Sequence, residues 1–160
     1  MQRRDFFKKL GTVTAVAAVI PAMSFAADAK PEGPNKMDFK TAENVITGGK
    51  TPKTSKKVKL KAPEIAENGA VVPVTVTVDS PMTENNYVKA IHILTEKNSN
   101  SRTIDVYLTP ANGKAMFSTR IKLGGTQKVI ALVELSNGEF LTASQSVKVT
   151  IGGCGWYFNQ

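Results

Sequence analysis

The residue with the most distinctive chemistry is a cysteine near the end of the chain, Cys154, set in the run Gly152-Gly153-Cys154-Gly155. It is the only cysteine among 160 residues. The chain opens with what reads as an export leader, and exported proteins usually pair their cysteines. An unpaired one therefore points to intermolecular linkage or to a working thiol. The alternative, a buried cysteine acting as a small hydrophobe, requires packed surroundings. Three glycines around the sulfur remove side-chain packing and leave the backbone free to adopt many conformations, so Gly152, Gly153 and Gly155 read as a flexible arm. At about 3.3–3.6 Å per extended residue, such an arm carries the sulfur roughly 10 Å beyond the element before it.

Nothing nearby in sequence activates this thiol. A free cysteine has a pKa of about 8.5 and is only slightly ionised at neutral pH, and a nucleophilic cysteine normally has a base or a helix N-terminus beside it. The one histidine, His92, sits in the apolar alternation Ala90-Ile91-His92-Ile93-Leu94, where a core or sheet-surface role is expected. One His and one Cys are too few for a zinc or iron–sulfur site, and no Cys-x-x-Cys-His motif offers covalent haem attachment. No metal and no resident cofactor are expected. A Gly-x-Ser-x-Gly elbow and a phosphate loop are both missing from the sequence, and Glu134 and Glu139, flanking a turn, read as solvated. The thiol reads as carried rather than catalytic, with activation supplied by whichever protein receives it. The chain alone is not expected to be an enzyme.

The elements that position this arm are legible upstream. Residues 1–26 begin with Arg3-Arg4-Asp5-Phe6-Phe7-Lys8, continue through an apolar run over 10–20, and end at Ser24-Phe25-Ala26, small residues that suit a signal peptidase. The apolar run is shorter than the ~20 residues of a bilayer span, so no stable membrane anchor is expected. The arginine pair resembles a twin-arginine signal, which implies a periplasmic destination and export in a folded state, with a partner attached. Of the net charge of +8, about +5 remains beyond residue 26, and nine of the lysines fall between Lys30 and Lys61. Lysines without arginines or interleaved aromatics describe a solvated lead-in and not a nucleic-acid surface. Residues 27–56 read as a linker holding a short helix over 37–47, with Phe39, Ala42, Val45 and Ile46 on its apolar face and Gly48-Gly49 as its stop.

From residue 57 the period becomes two. Seven short strands are expected, over 58–62, 72–78, 87–95, 103–108, 115–123, 128–135 and 140–151, separated by turn signals of which Ser136-Asn137-Gly138-Glu139 is the strongest. This is the pattern of an all-β, immunoglobulin-like antiparallel sandwich over residues 57–151, followed by a carrier arm with an aromatic tail over 152–160.

Ser80-Pro81-Met82-Thr83, Asn86-Tyr87-Val88-Lys89, Ile91-His92-Ile93 and the ending Val147-Lys148-Val149-Thr150-Ile151-Gly152-Gly153-Cys154-Gly155 resemble the SoxY family, sulfur-carrier subunits of the bacterial Sox thiosulfate-oxidation system. The resemblance runs from the helix near Phe39 to Gly155. It implies an immunoglobulin-like domain paired with a SoxZ-like subunit in a heterodimer. It also implies that Cys154 is the point of covalent sulfur attachment, bearing S-thiosulfonate or persulfide-type intermediates. The expected partners are a haem-containing conjugating enzyme, a sulfate-releasing hydrolase and a sulfane dehydrogenase. The family pattern ends with two glycines after the cysteine, whereas this chain continues Gly155-Trp156-Tyr157-Phe158-Asn159-Gln160. These aromatics obstruct entry to a narrow site, anchor on a partner, or pack back on the domain. A non-catalytic binding module working through that tail is the alternative function.

Overall fold

The computed structural model of the chain describes residues 36–153. The leader expected over 1–26, and Cys154, Gly155 and the aromatic tail, lie outside the described residues.

Two sheets face each other. The larger contains β1 (Lys53–Thr54), β9 (Phe140–Ile151), β8 (Gln127–Leu135), β5 (Val88–Thr95) and β6 (Arg102–Tyr107) in that order, with β3 (Ile65–Asn68) also pairing β9; the smaller is β2 (Val58–Lys61), β4 (Val72–Val78) and β7 (Ala115–Ile121). All seven expected strands are present, and the fold is the expected immunoglobulin-like sandwich. Two further strands, β1 and β3, run parallel to β9, so the larger sheet is not wholly antiparallel. Both are short, and neither shows a clear period-two pattern: Ala66 is the one buried residue of β3.

Alternation builds the core. In β4, Val72, Val74 and Val76 are fully buried while Pro73 points out, and each buried valine contributes about 1.5–3 kcal/mol relative to exposure. Pro73 is tolerated because β2 ends with Lys61 opposite Thr75, so no strand on that side requires its missing N–H. Ile91, Ile93, Val129, Val133 and Val147 complete the inner layer from the larger sheet. Central β5 is apolar on both faces because its outer face is covered too. Helix α1 (Phe39–Thr47) lays Ala42, with Phe39 and Ile46, over Leu94, Ile130, Leu132 and Phe140. Val45, expected on this apolar face, is instead 57% exposed; the buried position at the helix end is Thr47. The β8–β9 hairpin turns through Gly138 at φ 80°, closed by Leu135 N–H donating to the Glu139 carbonyl at 2.9 Å, as Asn-Gly predicts.

Helix α1 starts at Asp38, whose Oδ1 accepts from Thr41 N at 3.0 Å and Oδ2 from Thr41 Oγ1 at 2.7 Å. It ends at Gly48 in the left-handed region, whose N–H donates to Asn44 O. The Thr41 hydrogen bonds hold the Asp38 carboxyl below the ordinary carboxylate range. A depressed carboxyl stabilises the fold above its unfolded pKa, and that contribution is lost as pH falls through the folded value. The Thr41 amide resonance is therefore expected to titrate with a midpoint below that of a free aspartate. In Asp38→Asn, which keeps the cap without the charge, the titration should vanish. A midpoint at or above the free value in the wild type contradicts this account.

Candidate functional site

The expected chemistry lies at the end of β9, and the structure shows what that end is attached to. Strand β8 pairs with β9 only as far as Val147, opposite Gln127. Residues 148–151 run past it and are held instead by β3: Lys148 N donates to Glu64 O at 2.8 Å and Gly69 N to Ile151 O at 2.7 Å. On the other side Val149 N donates to Thr126 Oγ1 at 3.0 Å.

Two connections between the sheets meet the strand here. One is the β3–β4 turn through Gly69 and Ala70, which starts with Asn68 Oδ1 accepting from Ala70 N at 2.8 Å. The other is the β7–β8 loop over residues 122–126. They are tied together by Leu123 N donating to Gly69 O at 2.7 Å, and Gly153 is tied to the second by its N–H donating to Leu123 O at 3.0 Å. Leu123 is fully buried, and Gly153 is buried as well. Beside this junction Val71 and Ile151 are exposed at 54% and 67%, an apolar rim around the point where the chain leaves the sandwich.

Of the residues singled out in the sequence, Gly152 and Gly153 are therefore at the junction, and the positions of Cys154 and Gly155 lie outside the described residues. The structure places the first two glycines against other backbone. Neither has positive φ, and both are closely surrounded: a Cβ on Gly152 would overlap the Gly124 carbonyl, and one on Gly153 would lie 3.0 Å from Ala70 Cα and Gly69 O. Glycine is needed here for space. Sequence reading missed Gly69, Leu123 and Gly124 as members of this site. Asn68-Gly69 is a turn dipeptide and Gly124-Gly125 had only the appearance of a strand stop, so each was legible as a turn but not as a contact of the chain end.

His92 is not part of this site. It is 3% exposed, with Nδ1 2.6 Å from Asp105 Oδ1, while Arg102 Nε donates to Asp105 Oδ2 at 2.7 Å. Tyr107 meets its ring edge-on at 6.2 Å between centroids. Through the ladder His92 is level with Leu132 and hence with Thr142, nine residues before Ile151, or about 30 Å at 3.3 Å per residue. It cannot serve as a base for a thiol just beyond Gly153. Glu134 and Glu139, expected to be solvated, are each paired, with Lys89 at 2.7 Å and Lys53 at 2.9 Å. The hydrogen bond to Glu134 raises the pKa of Lys89, and that from Lys53 lowers the pKa of Glu139. Among the described residues no group of three or more His, Cys, Asp or Glu is placed to hold a metal ion.

The chain matches the family described as "Sulfur oxidation protein SoxY" over residues 42–154. The match takes in the sandwich, both connections of the junction, and Cys154. Among solved structures, the sulfur carrier protein SoxY from Chlorobium limicola f thiosulfatophilum is 33% identical, with a TM-score of 0.59, over 69% of this chain and 94% of that one. A superoxide reductase (neelaredoxin) from Ignicoccus hospitalis is 18% identical with a TM-score of 0.48, over 58% of this chain and 80% of that one. No curated protein sequence matches.

Proposed function

The chain belongs to the SoxY family of sulfur-oxidation proteins, and from that premise we propose that it is a periplasmic carrier holding the sulfur intermediates of thiosulfate oxidation covalently on Cys154. The observation that supports the reading is the place of the only cysteine in the sequence: directly after the end of β9, where Ile151 O accepts from Gly69 N and Gly153 N donates to Leu123 O, inside the region matched by the family. A thiol at the end of such a scaffold suits a substrate presented to partner enzymes.

The chemistry follows from the thiol. In loading, the Cys154 sulfur forms an S–S bond with the sulfane sulfur of thiosulfate; the thiol proton goes to water and two electrons pass to a haem-containing conjugating enzyme. The product is a cysteine S-thiosulfonate. A hydrolase then lets water attack the terminal sulfonate sulfur, the sulfane–sulfonate bond breaks, and sulfate leaves while a persulfide stays on Cys154. This hydrolysis transfers no electrons. Oxidation of the remaining sulfane sulfur is left to a dehydrogenase that takes up the electrons. The partner in a stable heterodimer is a SoxZ-like subunit, exported with this chain by the twin-arginine route.

Intact mass measured after incubation with thiosulfate and the haem-containing oxidant tests the reading. A single thiosulfonate adduct is expected on the wild-type chain and none on Cys154→Ser. An adduct that persists on the serine variant, or none on either, removes the proposal. Truncation after Gly155 addresses the Trp156-Tyr157-Phe158 tail, which lies beyond the family match. Unchanged partner binding by the truncated chain discards the reading in which the tail is the functional contact.

A further inference from the structure

The three strands of the smaller sheet carry charge of one sign. β2, β4 and β7 hold Lys59, Lys61 and Arg120 and no Asp or Glu. Among the described residues, every acid borne on a strand (Glu67, Asp105 and Glu134) belongs to the larger sheet. Alternation then sorts the side chains. The valines of β4 turn inward, while Lys59, Lys61, Pro73, Met116, Ser118 and Arg120 stand exposed on the outer face. Register sets these in rows: Lys59 beside Thr77 and Met116, Lys61 beside Thr75 and Ser118, and Pro73 beside Arg120. Thr75 Oγ1 and Ser118 Oγ, 2.9 Å apart, join the middle row. Lys59 and Lys61 close the lysine-rich run that reads as a solvated lead-in, yet the fold makes them part of a cationic face.

These cations are not neutralised. Among the described residues the ion pairs are Lys53–Glu139, Lys89–Glu134 and Asp105 with His92 and Arg102, all on or beside the larger sheet. None involves Lys59, Lys61, Lys114 or Arg120. At one end of the face lies a groove of about 500 Å³ whose lining includes Lys59, Lys114, Thr77, Met116 and Ser80, with Asp79 its one acid. It sits at the Val78 end of β4, six residues from Val72, or about 20 Å from the end where the chain leaves the sandwich.

We propose that this face is a docking surface for the acidic face of a partner protein, a role that the carrier reading neither includes nor requires. Unpaired charge of one sign repels itself, and a surface of opposite sign relieves it and speeds encounter. The occupant is protein and not bilayer. Met116, 54% exposed, is the only large apolar side chain exposed on the three strands, whereas adsorption to lipid grows with buried apolar area as well as charge. About 10 Å across and 20 Å long, the face has the extent of a transient contact. A partner seated at the groove leaves the chain end uncovered.

Titrating the isotope-labelled full chain with a poly-L-glutamate peptide, and following its amide resonances, tests this. Shifts are expected to concentrate on β2, β4 and β7, and binding to weaken as salt rises. Lys59→Glu, Lys61→Glu and Arg120→Glu together should weaken binding by about 10-fold or more. Lys40→Glu, Lys97→Glu and Lys128→Glu, the same charge change on exposed residues elsewhere, should alter it by less than about twofold. Replacing the first three by Gln should act in the same direction, which keeps the test decisive if charge reversal disturbs folding. Equal weakening by the two sets means that net charge alone binds the peptide, and overturns the proposal. Shifts confined to other surfaces, or no binding at all, overturn it too. So does tighter binding of phosphatidylglycerol vesicles than of the peptide through these residues, which would make the occupant a lipid surface. No step of the test uses Cys154, so failure of the carrier reading leaves its outcome untouched.

Discussion

Leu123→Ala is expected to lower the stability of the domain by about 3 kcal/mol, within the 2–5 kcal/mol range for fully buried leucines truncated in a core that relaxes only partly. For a domain of this size that is a fall of about 10–15 °C in Tm. Leu123 is 0% exposed and belongs to the main core cluster together with Val72, Ile121 and Val147. Its neighbours are strand residues with little freedom to close over the cavity, which places the cost away from the low end. The substitution leaves the backbone groups that hold the chain end intact: Leu123 N still reaches Gly69 O, and Leu123 O still accepts from Gly153 N. Thermal or urea unfolding should therefore show a large loss. Below the lowered midpoint, sulfur loading on Cys154 should stay near the wild-type rate. A loss under 1 kcal/mol would mean that the site collapses freely and that Leu123 is not a keystone of this end of the sandwich. A collapse of loading at full foldedness would show that the side chain, and not only its peptide group, sets the junction.

The sandwich was legible because its signal is repetitive. Val72-Pro73-Val74-Thr75-Val76-Thr77-Val78 states its buried face four times, and Asn137-Gly138 can hardly be anything but a turn. What stayed hidden is what such patterns do not encode. Strands β1 and β3 consist of two and four residues and owe their extended form to parallel pairing with β9, a long-range contact with no local signature. Val45 was placed on the apolar face of α1 by spacing alone, yet Ala42, Phe39 and Ile46 already cover the sheet and leave it exposed. The candidate site divides in the same way. Its cysteine and glycines are a contiguous motif. Gly69 and Leu123 are separated from that motif in sequence and reach it only because two inter-sheet connections meet at the end of β9. Even the glycines were legible in type more than in purpose: composition shows that a side chain is missing, and only geometry shows that a carbonyl occupies its place.

The same distinction between a group's presence and its purpose governs the second large effect, at the buried polar cluster on the outer face of the larger sheet. Asp105→Ala is expected to destabilise the fold by about 2–3 kcal/mol, whereas His92→Leu should change it by less than about 1 kcal/mol, although both remove the same contact. Asp105 is the shared acceptor, taking His92 Nδ1 at 2.6 Å on one oxygen and Arg102 Nε at 2.7 Å on the other. Without it, a 3%-exposed imidazole has no partner on either nitrogen, because Nε2 is already unpaired. A buried polar group deprived of its partner costs about 1–3 kcal/mol, and the Arg102 bond is lost as well. His92→Leu removes the orphaned Nε2 together with the ring, and a leucine in its place packs beside Leu94 and Leu132. Asp105 keeps Arg102 and, at 25% side-chain exposure, keeps water. The partner left behind is therefore still hydrogen-bonded, and the cost of an orphaned buried group is avoided. In the double variant the cost of Asp105→Ala should fall well below its value alone, giving a coupling measurable by a thermodynamic cycle. Sulfur loading should be the same in His92→Leu as in the wild type, since His92 lies about 30 Å along the sheet from the chain end. If His92→Leu proves as costly as Asp105→Ala, the pair is a net stabiliser and the unpaired Nε2 carries no penalty. If it abolishes loading in a folded chain, the separation of scaffold from carried thiol argued above is wrong.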